Sequence, residues 1–279
     1  MTLRTVTPAL LRAWPLPRPE GDDDKEARGR VLVVGGSRAI PGAALLAATA
    51  CLRVGAGKLQ IATVEDAAMP LAIAMPEAKV IGVPGDADGE IARPTRALLS
   101  ACASMDAVLV GPGMLDTHAT HRFAATLMRR ARAVVLDAGA MGACMSTRAG
   151  TLVITPHHGE MAALCEVDAA RIAADPEGIA REAARQADAI VVLKAATTII
   201  ATPEGDAWRH DVRCTGLGVS GSGDVLAGCI AGLIAGGADV AQAAVWGVAL
   251  HARAGVALSK HYGDTGFLAR EIVAAIALV

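Results

Sequence analysis

The sequence predicts an α/β fold, with a central, mainly parallel sheet and helices on both faces. From Arg30 onward, short runs of β-branched and aliphatic residues recur, and most are apolar throughout rather than alternating. Strands buried on both faces have that pattern. Between the runs lie Ala-rich stretches of helical length, and such alternation builds βαβ units with parallel neighbours. Neither a fixed-period repeat nor a linker interrupts it, so residues 1–279 are expected to form one domain.

The elements follow in order. Residues 1–29 carry prolines and then the acidic "EGDDDKEARG", which reads as an arm and a solvated surface loop. "RVLVVGG" at 30–36 is the first core strand, followed by a helix in "PGAALLAATACLRVGA" at 41–56 and a strand in "KLQIATV" at 58–64. "AVLVGPG" at 107–113, a helix in "THRFAATLMRRA" at 120–131 and "AVVLDAG" at 133–139 continue the alternation. "TLVITPH" at 151–157 leads into helices "HGEMAALCEV" at 158–167 and "PEGIAREAARQA" at 176–187. Two more strands, "AIVVLKA" at 189–195 and "TTIIATP" at 197–203, precede helices in "GDVLAGCIAGLIAG" at 223–236 and "DVAQAAVWGVALHARAGVALS" at 239–259.

Hydrophobic residues make up 53% of the chain and charged ones 19%, enough for a large core. Apolar runs such as "AIVVLKAATTIIA" are broken by Lys194, Gly or Pro short of the roughly 20 residues a bilayer span needs, so no membrane role is expected. At the start, Arg4, Arg12, Pro15 and Pro17 interrupt any leader-like core, and the cytoplasm is the expected compartment. The 26 basic and 28 acidic residues leave a net charge of −2 without a basic tract, and aromatic residues are only 2% of the chain. Both facts argue against a nucleic-acid partner and favour a small molecule. Cysteines at 51, 102, 144, 165, 214 and 229 lack the spacing of zinc or redox motifs and read as core residues.

Ligands of open parallel sheets bind beyond the carboxyl ends of the strands. Gly35-Gly36-Ser37, Gly111-Pro112-Gly113, Asp137-Ala138-Gly139, Thr155-Pro156-His157 and Lys194 follow predicted strands and are expected to converge there. "VVGGSRAIPGA" has the strand, Gly turn and helix of a dinucleotide fold, but not the G-x-G-x-x-G spacing. Tyr262 is followed four positions later by Gly266, not by the lysine of a short-chain dehydrogenase. "VGAGKLQ" has Leu59 where a phosphate-binding loop needs Ser or Thr, and Leu52 where it needs Gly.

"SGSGD" followed by "VLAGCIAGLIAG" is a stronger candidate. Small residues at a helix start leave amides open to an anion, and the helix dipole favours negative charge there. Asp224 in that first turn has two readings: it stabilises the dipole, or it acts as a general base beside a transferring phosphoryl group.

Taken in order, "GGSRAIPGAALLAATACLRVGAGKLQIAT", "VGPGM", "VVLDAGAM", "ITPHHGEMAAL", "VVLKAATTIIATPEGDAW" and "SGSGDVLAGCIAGLIAGG" resemble the nucleotide-dependent NAD(P)H-hydrate dehydratases, whose fold is ribokinase-like. The resemblance runs from about Lys25 to "GDTGFLAREIVAAI". It implies dehydration of the (S)-hydrate of NADH or NADPH, with ADP in bacterial members, or ATP, as phosphoryl donor. The hydrate hydroxyl is phosphorylated and phosphate is then lost, giving NAD(P)H, AMP and phosphate.

Carried over by position, Asp224 matches the family's base and also contacts substrate. The amides around Gly221, Ser222 and Gly223 match an anion hole, and Gly223 also a nucleotide contact. Lys194, Ala195, Ala196, Thr197 and Thr198 match the AMP-binding stretch, and Ala43, Gly113 and His157 match positions lining the hydrate pocket. His157 also has a plainer reading, as the cap of the helix in "HGEMAAL". Magnesium is implied with the nucleotide, without identified protein ligands, and a homo-oligomer is implied, tetramers being known in the family. The chain departs from the family pattern with Ala195 for Gly, Cys214 for Asn, Ser220 for Gly and His158 for Pro, and "DKEARG" lacks the family's His-Lys-Gly.

Two other readings stand beside this one. A small-molecule kinase of the ribokinase superfamily would share the anion loop and aspartate, but the "DTxGAGD" of that group is absent. A catalytically silent nucleotide-binding protein is the alternative that the substitutions at 195, 214 and 220 suggest.

Overall fold

A computed structural model describes residues 2–17, 25–147, 150–211 and 214–276. The acidic block of the N-terminal loop therefore lies outside the described residues at positions 20–24. The strands are β1 (Leu3–Thr5), β2 (Arg30–Val34), β3 (Lys58–Val64), β4 (Ala78–Val83), β5 (Ala107–Val110), β6 (Val134–Leu136), β7 (Leu152–Ile154), β8 (Ile190–Leu193), β9 (Thr197–Ala201) and β10 (Ala207–Asp211). They form one sheet in the order β1-β10-β9-β8-β7-β6-β5-β2-β3-β4. Among these strands β9 alone runs against its neighbours, so the sheet is mainly parallel, as expected.

The helices are α1 (Pro8–Ala13), α2 (Pro41–Arg53), α3 (Glu65–Ala74), α4 (Arg96–Ser104), α5 (His118–Met128), α6 (His158–Cys165), α7 (Ala169–Ala174), α8 (Pro176–Ala187), α9 (Ser222–Ala235), α10 (Val240–Tyr262) and α11 (Ala269–Ala275). Of two 3₁₀ segments, Ala138–Met145 lies between β6 and β7, and Thr215–Gly218 between β10 and α9. Every strand and helix read from the sequence is present to within a few residues.

The additional elements have weak local signals. β4 lies at a sheet edge with only its last residue buried, and β10 reads "AWRHD", so neither shows a continuous apolar run. α3 contains Pro70, which argues against a helix in sequence because it removes one helical hydrogen bond.

Side-chain alternation along the strands divides the interior into two layers. Val31 and Val33 of β2 face a core shared with α2, α9, α10 and α11, whereas Leu32 and Val34 face one shared with α4, α5 and α8. Helix α9 is buried along nearly its whole length, as a helix apolar on all sides must be. It packs on α2 through its glycines. A β-carbon on Gly228 would come within 2.2 Å of the Ala47 carbonyl oxygen, and one on Gly232 within 2.7 Å of the Cys51 carbonyl oxygen. The Cys51 thiol donates to the Gly228 carbonyl at 3.2 Å across that contact. The small-residue stripe of "VLAGCIAGLIAGG" thus serves the protomer's own core, where it anchors the helix that carries Asp224.

Candidate active site

Backbone hydrogen bonds tie the strand-end loops together along one edge. The Gly36 amide donates to the Pro112 carbonyl at 2.7 Å and the Ser37 amide to the Gly113 carbonyl at 3.2 Å. Asp137 donates from its amide to Val110 at 3.0 Å, Thr155 to Leu136 at 3.3 Å and Lys194 to Pro156 at 2.8 Å. All five predicted loops therefore meet where β2, β5, β6, β7 and β8 end, because parallel strands bring their carboxyl ends to the same side.

A charged cluster stands at this edge. The Lys194 ammonium lies 3.0 Å from Asp137 Oδ1 and 3.8 Å from Glu160 Oε2. Asp137 is buried, and its Oδ1 also accepts from the Thr155 hydroxyl at 2.5 Å. Burial disfavours the charged form of Lys194, but Asp137, Glu160 and Asp224 more than offset this and raise its pKa.

Helix α9 presents its first turn to the same cluster. Gly221 occupies the N-cap position with φ 89° and offers no side-chain cap, so the first amides of the helix are not covered by one. Side chains at 221 are excluded by both backbone and space, since a β-carbon would lie 2.7 Å from Leu46 and 3.0 Å from Ala269. The hydroxyl of Ser222 turns inward to His251 Nε2 on α10, at 3.0 Å. Burial, opposed by the Ser222 backbone and aided by Lys194, pulls His251 down to about 4, so it stays neutral. Gly223 adjoins Lys194: a β-carbon there would be 3.3 Å from the ammonium nitrogen.

Asp224 completes the turn. Burial pushes its carboxyl pKa up to about 7, with Asp137 and Glu160 adding to the shift and Lys194 opposing it. An aspartate needed only for the helix dipole would gain nothing from such a setting. One poised near neutrality can take a proton at physiological pH.

The other sequence-predicted positions fall around this centre. Ala43, in the first turn of α2, packs on Gly113, whose own β-carbon would be 2.9 Å from that of Ala43. Lys194 to Thr198 run from the end of β8 through a tight turn into the start of β9, with Ala196 exposed and Thr198 buried. Within it the Thr197 hydroxyl donates to Asp211 at 2.9 Å and the Thr198 hydroxyl to the Ala195 carbonyl at 3.1 Å, so both hydroxyls are already used. His157 caps α6: its Nδ1 accepts from the Gly159 and Glu160 amides at 3.0 and 3.1 Å, and Glu160 returns a bond to its amide. The plainer reading of His157 is therefore what its Nδ1 does, while Nε2 stays on an exposed ring. Cys214, upstream of the anion loop, contacts the Ser259 hydroxyl at 3.2 Å.

Asp137 and Thr155 were expected at this edge without a role, and Glu160 and His251, which also lie in or against the cluster, were not named in sequence. Asp137 and Thr155 had a signal, since both follow predicted strands. Glu160 and His251 had none, each being one polar residue within a helical stretch.

Among the described residues, no group of three or more His, Cys, Asp or Glu side chains could hold a metal ion. The ammonium of Lys194 is the cation that Asp137 and Glu160 face, so these carboxylates do not form a protein cage for magnesium. No described helix is long and apolar enough to cross a membrane. A cavity of about 590 Å³ flanking α5 and another of about 500 Å³ at the starts of β7 and β8 share no residue with the cluster.

Comparison with known proteins bears on this geometry. A family model described as NAD(P)H-hydrate dehydratase matches residues 31–278. The ADP-dependent (S)-NAD(P)H-hydrate dehydratase of Xanthomonas campestris is 50% identical over 97% of this chain and 93% of its own length. A bifunctional NAD(P)H-hydrate repair enzyme of Moorella thermoacetica is 37% identical over 97% of this chain, which spans 52% of that longer protein. The crystal structure of the ADP/ATP-dependent dehydratase of Bacillus subtilis, co-crystallised with ATP and magnesium, superposes with a TM-score of 0.84 at 28% identity, covering 99% of this chain and 97% of that one.

Proposed function

Because the chain belongs to the NAD(P)H-hydrate dehydratase family, we propose that it dehydrates the (S)-hydrate of NADH or NADPH with ADP as phosphoryl donor and Asp224 as general base. The observation that carries this reading is the setting of Asp224, half-buried in the first turn of α9 with its pKa near 7, beside an ammonium group and an uncapped helix start.

The chemistry follows from the groups present. Hydroxide is a poor leaving group, so the hydrate hydroxyl must first be converted to a phosphate ester. Asp224 takes the hydroxyl proton as the oxygen attacks the terminal phosphoryl group of ADP, and the bond to AMP breaks. The amides of Gly221 and Gly223, at the positive end of α9, would receive the transferring phosphoryl group, with Lys194 offsetting its charge from the side. The Ser222 amide, expected in the same anion hole, instead donates to the Val219 carbonyl at 3.2 Å. The ring nitrogen then pushes its electron pair toward the carbon that bears the ester, phosphate departs, and loss of the neighbouring proton restores the double bond.

Positioning supplies much of the rate in phosphoryl transfer, and this site is built for it. Ala43, Gly113 and the exposed edge of His157 would line the nicotinamide end. The backbone of Lys194 to Thr198 would receive the adenylate, since the Thr197 and Thr198 hydroxyls are engaged elsewhere. Ala195 narrows that approach by one methyl relative to the usual glycine. Magnesium would be carried by phosphate oxygens and water rather than by side chains. On family likeness alone, one domain acts as the whole catalytic unit, in the cytoplasm and as a homo-oligomer, with a tetramer the form to test.

The test is recovery of reduced-nicotinamide absorbance from NADH hydrate with magnesium and either ADP or ATP. Recovery with ADP is expected. Nucleotide binding without recovery from either donor would leave a binding protein in place of an enzyme.

A further inference from the structure

We infer that Asp137 is a positioning residue of this reaction, acting through Lys194: its buried carboxylate holds the ammonium at the anion loop, beside Gly223 and within electrostatic reach of Asp224. The inference rests on the proposed role of Asp224 and assigns a task to a residue outside the family positions carried over above.

The local structure is arranged around this carboxylate. Asp137 stands at the N-cap position of the 3₁₀ segment Ala138–Met145, where an aspartate ordinarily accepts from the backbone, yet its side chain makes no cap bond. Oδ1 instead receives the Thr155 hydroxyl at 2.5 Å and the Lys194 ammonium at 3.0 Å. The next residue, Ala138, has φ 46°, a conformation that costs a non-glycine residue energy and that persists at sites where geometry matters. Gly111 is equally committed, since a β-carbon there would lie 1.8 Å from the Asp137 carbonyl oxygen. Strain, an unused cap and a glycine requirement therefore coincide at one residue whose side chain points to Lys194.

Lys194 is thereby fixed where two tasks meet. It adjoins Gly223, whose amide belongs to the anion loop, and it acts electrostatically on Asp224. The charged groups acting on Asp224 are Asp137 after β6, Glu160 on α6 and Lys194 after β8. Of the helices packed on α9, α10 brings His251, which is neutral. α11 brings Glu271, which accepts from the Leu268 amide, and α2 carries no acid or base before Arg53 at its far end. Removing the Asp137 charge takes one negative neighbour from Asp224 and frees Lys194 to approach it. Both changes favour the Asp224 carboxylate, so the sign is unambiguous.

The experiment compares the full-length protein with Asp137→Asn, using NADH hydrate, ADP and magnesium from pH 5.5 to 9, with thermal melting as the folding control. The acid limb of kcat/KM is expected to move down by about one pH unit. At pH 8, kcat is expected to fall about tenfold or more, with KM for the hydrate within about threefold. A folded variant whose acid limb or kcat matches the wild type overturns the inference. Should Asp137→Asn melt too low to assay, Thr155→Val keeps shape and charge but removes the hydroxyl that fixes the carboxylate. It is expected to lower kcat several-fold at unchanged KM, and a wild-type kcat would overturn the inference equally. Wild-type protein without turnover defeats the functional reading itself. An active wild type with an indifferent variant defeats only the role of Asp137.

Discussion

The Lys194 ammonium stands 3.3 Å from the place a β-carbon would take on Gly223, so a side chain at 223 would press directly on the cation at the start of α9 and make it give by a few tenths of an ångström. Gly223→Ala should displace the flexible lysine rather than the helix. The expected result is an increase in KM for ADP of about tenfold with a melting temperature within about 2 °C of wild type, measured by initial rates and calorimetry. A large loss of stability with unchanged KM would mean that Gly223 serves packing alone.

Asp224→Asn keeps the shape of the side chain but cannot accept a proton. A positioned general base contributes about 10²- to 10⁴-fold, so kcat should fall by about that factor while ADP affinity, read by calorimetric titration, stays within a few-fold. In the wild type, kcat/KM should fall on the acid side of about pH 7, where Asp224 becomes protonated. Retention of most activity by the variant would remove Asp224 from the base role.

The same substitution should stabilise the protein at alkaline pH. The folded carboxyl titrates near 7 and the unfolded one near its ordinary value of 3.8, so between these values the folded state holds the extra proton. Stability from this group is fullest below the unfolded value and declines as pH rises to about 7, because the charge must then be buried. Asn carries no charge at either pH. Asp224→Asn should therefore melt several degrees above wild type at pH 8, with the difference shrinking toward pH 4.

Gly228 governs the seat of α9 on α2. A β-carbon there would lie 2.2 Å from the Ala47 carbonyl oxygen, and backbone cannot give way as a side-chain tip can. Gly228→Ala should cost about 1–3 kcal/mol in guanidinium unfolding, and part of that cost should appear as lost activity through the displaced anion loop. Wild-type stability would show that the two helices can separate freely.

The order of strands and helices was legible because it is written in local patterns. Continuous aliphatic runs such as "VLVV" and "IVVL" mark strands covered on both faces, and the Gly and Pro after them mark the edge where loops turn. Edge strands such as β4 escaped notice because one exposed face dilutes the apolar signal. Asp224 was readable as a candidate from the small residues before it, although its first turn alone could not separate base from dipole partner. His157 shows the converse, for its place after a strand suggested the pocket while its Nδ1 is committed to capping α6.

By itself, then, the sequence determined the α/β class, the ligand-bearing edge and the helix that opens on Asp224, all of which depend on neighbours a few residues apart. Only the tertiary structure decided what sets the chemistry of that carboxylate. Asp137, Glu160 and Lys194 are separated by dozens of residues, and they meet because β6, β7 and β8 lie side by side and end at one edge. Charge acts through distance in space and through burial, and strand order and side-chain packing fix both. Local pattern specifies neither.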